Sequence, residues 1–100
     1  MYARLVSFSG ADPEKRDRAI QMIRETVIPT LREYDGFKGY IALYDEQERR
    51  AKALILWDAK EHAEAAEETL VPRRQQMAGG IGLTVDSADL YEAAVVELEA

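Results

Sequence analysis

The sequence predicts an α+β fold: a ferredoxin-like βαββαβ unit with an antiparallel four-stranded sheet, two copies of which pair with their sheets face to face. Three observations carry this expectation. Strand-like apolar runs and helical stripes succeed one another in the order strand, helix, strand, strand, helix, strand. Only the charged stretch "DEQERR" separates the two middle strands, so they form an antiparallel hairpin. Finally, the strands are apolar on both faces, whereas two helices cover only one.

The elements follow in chain order. Tyr2 to Phe8 is an aromatic and aliphatic run closed by the turn-formers "SGADP" and predicts the first strand. Asp12 can cap free amide hydrogens, and Pro13 suits the first helical position. Ala19, Ile20, Ile23, Val27, Leu31 and Tyr34 then form one stripe on a helix to about Tyr34, kinked or broken at Pro29. "DG" at Asp35 and Gly36 ends it. Phe37 to Tyr44 and Ala51 to Trp57 are the hairpin strands. Asp58 is expected to cap the next helix, with Glu61 at capping-box spacing, and that helix should end near Leu70. Pro72 opens a further turn through Met77, "GGIG" releases the chain, and Ala88 to Leu98 is the last strand.

One hundred residues, 47% hydrophobic and 32% charged, describe a single globular domain over residues 1–100. The net charge of −6 argues against nucleic acid and anionic membrane surfaces, which need a cationic face; Arg73 and Arg74 are too few. There is no cysteine, which excludes disulfides, thiolate catalysis and zinc–thiolate sites. The N-terminal run contains an arginine and lacks the long apolar core of a signal peptide, so a cytoplasmic location is expected.

Parity along the strands points to assembly. Ala53, Ile55 and Trp57 face one way and Leu54 and Leu56 the other; Phe37, Ile41 and Leu43 oppose Tyr40, Ala42 and Tyr44; Leu90, Ala94, Val96 and Leu98 oppose Tyr91, Ala93 and Val95. A large apolar face left open in one subunit marks an interface. Burying on the order of 1,000 Å² at about 25 cal/mol per Å² gives a gross gain of tens of kcal/mol before association entropy is subtracted. A homodimer joined through this sheet face is therefore expected.

The stretches "YARLVSF", "VIPTLREYDGFKGYIALYD", "ALILWDAKEHAEAAE" and "DLYEAAVV" resemble the antibiotic biosynthesis monooxygenase family of dimeric α+β barrels along nearly the whole chain. The resemblance implies a ligand pocket between the sheet and its helices, and a dimer through the other sheet face. Some members of that family oxidise phenolic or polycyclic substrates with dioxygen and no metal or flavin, so no cofactor is expected. Trp57 matches the family's tryptophan at the end of the third strand. Haem-degrading members carry a histidine about ten residues after it and an asparagine in the first strand; Glu67 and "YARLVSF" depart from both, which argues against haem.

On this reading Trp57, Phe8, Ile23 and Val27 are the candidate contacts of a small hydrophobic or aromatic ligand, and His62 and Trp57 the candidate catalytic residues. His62 falls about 60° to one side of the stripe of Ala59, Ala63, Ala66 and Leu70, where it could look into the pocket and take a phenolic proton. The competing reading makes it a solvated helix-edge residue. Trp57 offers a stacking surface or, alternatively, a core wedge holding the helix on the sheet. Arg4, inside an apolar strand, requires a partner, for which Glu92 is available. Glu61, Glu64, Glu67 and Glu68 read as a solvated acidic face, "AGGIG" as a flexible exit rather than a phosphate loop, and a lone histidine as no metal site. Beside cofactor-free oxidation stand a non-catalytic ligand-binding or stress-related barrel module and, less favoured, haem binding.

Overall fold

Four strands, β1 (Tyr2–Ser9), β2 (Phe37–Asp45), β3 (Arg50–Trp57) and β4 (Thr84–Glu92), pair antiparallel in the order β2-β3-β1-β4 in a computed structural model that describes residues 1–99. With the intervening helices this is the expected ferredoxin-like βαββαβ arrangement. The helices are α1 (Arg16–Met22), α2 (Ile28–Arg32) and α3 (Lys60–Gly80).

Two prolines act differently from expectation. Pro29 does not break the first helix. Because it has no N–H to bond the carbonyl four residues back, the preceding turn widens to a π-helical segment over Ile23–Val27, with Ile28 N–H donating to Ile23 O. Pro72 lies inside α3, which runs through 21 residues rather than ending near Leu70. Pro72 and Glu68 are exposed, so the carbonyl freed by the proline faces the solvent side.

The capping expectations divide. The Asp12 side chain accepts from Glu14 N at 2.9 Å and Pro13 opens a 3₁₀ turn, as its sequence position implies. Asp58 does not cap α3, whose N-cap is Ala59 without a side-chain bond. The Asp58 carboxylate is instead engaged by His62.

The last strand starts and ends earlier than expected, at Thr84 and Glu92. β1 is eight residues long, and β4 pairs along all of it, from Tyr2 opposite Glu92 to Ser9 opposite Thr84. Ala93 N–H makes a final bond to Met1 O at 2.9 Å. Residues 94–98 lie outside the sheet, with Val95 and Leu98 exposed.

A bulge between Phe37 and Gly39 corrects the predicted parity of β2 and turns Phe37 to the helix-facing side with Tyr40, Ala42 and Tyr44. On that side Trp57, Ile55, Leu31, Ala63, Ala66 and Leu70 form the core, with Val27, Tyr34, Phe37, Tyr40 and Leu90 packed against it. The other side is apolar over only part of its area. Ala3, Leu5, Leu54, Leu56, Ile41, Leu43 and Tyr91 cluster toward one corner, while Ser7, Ser9, Arg50, Lys52 and Asp89 occupy the opposite one. Lys52 Nζ donates to Ser7 Oγ there at 2.8 Å.

The turn from α2 into β2 depends on Gly36. Its φ is +85°, and a Cβ at this position would overlap the Asp58 carboxylate and the His62 ring packed over it. Gly36→Ala combines a left-handed backbone with that collision and is expected to lower stability by about 1–3 kcal/mol in urea unfolding. Part of the loss should return in a His62→Ala background, where the overlap with the imidazole ring is removed and that with Asp58 remains.

Candidate functional site

The register orders the helix-facing side into rows. Trp57 lies between Tyr2 and Phe37, Ile55 between Arg4 and Tyr40, Ala53 between Val6 and Ala42, and Ala51 between Phe8 and Tyr44. The large side chains of the first row fill their space against α2 and α3. Along the other rows Ala42, Ala51 and Ala53 fall short of Ala19 and Ala78 on the helices, and a cavity of about 450 Å³ opens. Such a volume suits a small organic molecule. Ala42 is exposed on edge strand β2, so the cavity opens past that edge.

Phe8, Ile23 and Val27 line this cavity, together with Val6, Ile20 and Met77. The widened turn at Ile23–Val27 forms part of its wall. Trp57 does not line it. Its side chain is only 1% exposed, with the Tyr34 ring at 6.4 Å and the Phe37 ring at 6.0 Å, both edge-on. A hydrogen bond of 2.8 Å between Tyr34 Oη and Thr69 Oγ1 ties this aromatic group to α3. Trp57 thus packs in the filled row behind one end of the cavity instead of offering a stacking face within it.

His62 lies outside the cavity, in a small recess with Tyr34, Asp35, Ala65 and Ala66. Its Nδ1–H donates to Asp58 Oδ1 at 2.7 Å, while Asp58 N–H donates to Gly36 O at 2.9 Å. Helix rotation carried it to the side of the stripe that meets the α2–β2 turn. The bonded Asp58 carboxylate raises the imidazole pKa above its ordinary 6.5, with Asp35 and Glu61 adding to the effect. Asp58 is in turn held below 3.8 by the same bond. Stability linked to His62 is fully present below pH 6.5 and is lost as pH rises through the raised value; that linked to Asp58 is present above 3.8 and is lost as pH falls through its lowered value. An NMR titration should place the His62 midpoint above 6.5, and Asp58→Asn should bring it down; an unmoved midpoint would contradict the contact.

The polar wall of the cavity was not foreseen. Arg74 of α3 lines it beside Tyr40, and its guanidinium grips Glu67 through Nη1 to Oε2 at 2.9 Å and Nη2 to Oε1 at 2.6 Å. Arg4 joins from β1, with Nε 3.7 Å from Glu67 Oε2 and Nη1 donating to Ala88 O at 3.3 Å. Glu67, not Glu92, is therefore the partner of Arg4, and Glu67 leaves the solvated acidic face to which its neighbours belong. The side chains of Arg4, Glu67 and Arg74 are 10%, 17% and 11% exposed. Burial raises the Tyr40 pKa to about 12 against the opposing charge of Arg74, so Tyr40 keeps its proton at neutral pH.

The signals for this wall were present in the sequence. Glu67 and Arg74 are seven residues apart, two helical turns, on the side of α3 that carries Ala63, Ala66 and Leu70. Arg4 shares strand parity with Val6 and Phe8. At the far end of the cavity Arg16 lies over the Tyr44 ring at 5.5 Å, and the Tyr44 hydroxyl is buried without a hydrogen-bond partner. Among the described residues no three His, Cys, Asp or Glu side chains converge as a metal site. No described helix is long and apolar enough to cross a membrane.

No family model matches the chain. Over 78 residues it is 35% identical to two Mycobacterium tuberculosis proteins of uncharacterised function, MT2635 and Rv2558, a stretch that makes up 78% of this chain and 33% of theirs. The chain thus spans about a third of the length of these curated relatives. Solved structures match it throughout. A Deinococcus radiodurans protein assigned as an antibiotic biosynthesis monooxygenase superposes with a TM-score of 0.72 at 17% identity, covering 100% of both chains. The Streptomyces coelicolor monooxygenase from ActVA-Orf6, solved with nanaomycin D, gives 0.67 at 12% identity over 99% of this chain and 92% of its own. A dimeric ferredoxin-like protein from an uncultured marine organism gives 0.70 at 7% identity over 99% and 100%. The chain shares the ferredoxin-like fold of proteins assigned as antibiotic biosynthesis monooxygenases.

Proposed function

We propose that the chain binds a small aromatic or polyketide-like molecule in the cavity between its sheet and helices, and works in the cytoplasm as a homodimer joined through the open sheet face. The cavity carries this reading: about 450 Å³, walled mainly by apolar side chains, with a few polar groups placed to orient a guest. Phe8, Ile23 and Val27 contact the ligand's rings, and Trp57 acts only indirectly, through the filled row behind the end of the space. Exposed Ile41, Leu43 and Tyr91 on the open sheet face support the dimer.

Oxidation of that ligand by dioxygen, without metal or flavin, is the catalytic form of the same reading and is supported by the fold shared with the Streptomyces monooxygenase. The ligand would supply the electrons. A non-catalytic binding module is the second form, and one observation favours it. Among the described residues the only carboxylate lining the cavity is Asp12, one oxygen of which accepts from Glu14 N–H, and His62 lies elsewhere, so a single hydrogen-bonded carboxylate is the one side-chain base at hand there. His62 could serve only if the turn at Asp35 and Gly36 opened.

Native mass spectrometry at micromolar concentration should find two copies together and any co-purified small molecule. Oxygen uptake with dihydroxyanthracene-type phenols, suppressed when Ala42→Phe fills the cavity mouth, would support turnover. Binding of these phenols without uptake would support the second form, and absence of binding would contradict both.

A further inference from the structure

The geometry points to an anionic guest: we infer that the cavity takes an aromatic molecule bearing an acidic oxygen, a carboxylate or ionised phenol, held by Arg74 and Arg16. This rests on the cavity being the ligand site and adds the charge of what enters it. In a chain of net charge −6, the side chains lining this space run the other way. Lys15, Arg16, Arg24 and Arg74 line it, against Asp12 alone; Lys52, also at its wall, turns its ammonium to Ser7 on the opposite face.

The buried cluster behind the wall is itself unbalanced. Arg4 and Arg74 share the single carboxylate of Glu67, leaving one positive charge in excess where water hardly reaches. Arg4 Nε is buried with no hydrogen-bond partner. Arg74 spends two of its N–H donors on Glu67, and a guanidinium has five. A buried charge without a counterion is costly, and an anion in the cavity would complete the balance. At the other end, Arg16 over the Tyr44 ring has no carboxylate within salt-bridge distance among the described residues, and the Tyr44 hydroxyl beneath it is buried and unpaired. Apolar walls between these two cationic ends fit a ring system whose acidic oxygen meets one of them.

The test compares 2-naphthoate with 2-naphthamide, which have nearly the same shape and differ in charge, by calorimetric titration of the intact protein. The acid should bind about tenfold tighter or more, as a charge-assisted hydrogen bond allows. Arg74→Gln or Arg16→Gln, whichever removes the end that meets the acid, should weaken the acid several-fold and leave the amide unchanged. Should Arg74→Gln fail to fold, joint replacement of Arg4, Glu67 and Arg74 by methionine takes its place. Equal affinity for the two probes would overturn the inference while leaving the cavity as a binding site. An acid preference that survives both substitutions would overturn the assignment to these arginines. Binding of neither probe would overturn the cavity reading, and this inference with it.

Discussion

Trp57→Ala is expected to destabilise the protein by about 3–5 kcal/mol in chemical denaturation followed by circular dichroism. The side chain is 1% exposed, contacts Tyr34 and Phe37 edge-on, and sits in the one row of the sheet where the space to the helices is filled. Its removal leaves a hole between β3 and α3 that Ala63 and Ala66 are too small to fill. For a domain whose whole stability is about 5–15 kcal/mol, that loss approaches unfolding. Trp57→Phe keeps an aromatic wedge and should lose less. A loss below about 1 kcal/mol for the alanine variant would mean that the tryptophan is not packed in the filled row described above.

Glu67→Ala is expected to be as damaging, for a different reason. It strands two arginines in an interior where they shared one carboxylate, and breaking such a buried set by removing one partner costs about 3–5 kcal/mol. Much of this cost comes from the unpaired charges left behind. Replacing Arg4, Glu67 and Arg74 together by methionine or leucine should therefore recover most of the stability while removing the Arg74 end as a site for an acidic guest. If Glu67→Ala alone unfolds at the same denaturant concentration as the parent protein, the cluster is not buried as described.

The topology was legible because it follows from features that one chain displays by itself: alternation in β1 and β3, the stripe from Ala19 to Tyr34, and the short charged turn of the hairpin. Boundaries were less so. Residues 93–98 are as apolar as a strand, but whether they pair depends on the length of β1, which only the assembled sheet reveals. Phe37 changed faces because a one-residue bulge leaves no mark on composition. Pro29 was read as a kink or break and Pro72 as the start of a further turn, whereas a widened turn and a solvent-facing carbonyl absorbed them.

Site residues divided along the same line. Phe8, Ile23 and Val27 could be placed because strand parity and helix periodicity aim them at the space between the layers. The rarity of Trp57 and His62 drew attention, yet one packs in the filled row and the other clamps a turn outside the cavity. Arg4, Glu67 and Arg74 were each visible, but their joining is a tertiary fact: the partner of Arg4 lies on α3, far from it in sequence, and the nearer-looking choice on β4 is not used.

Methyl NMR spectra of the protein titrated with 2-naphthoate test the location of the ligand site most directly. Saturable shifts are predicted at the methyl groups of Val6, Ile20, Ile23 and Val27, which line the cavity, with Leu5, Ile41 and Leu54 on the open sheet face left in place. Saturable shifts confined to that second set, or clustered around Ala65 beside His62, would contradict the account.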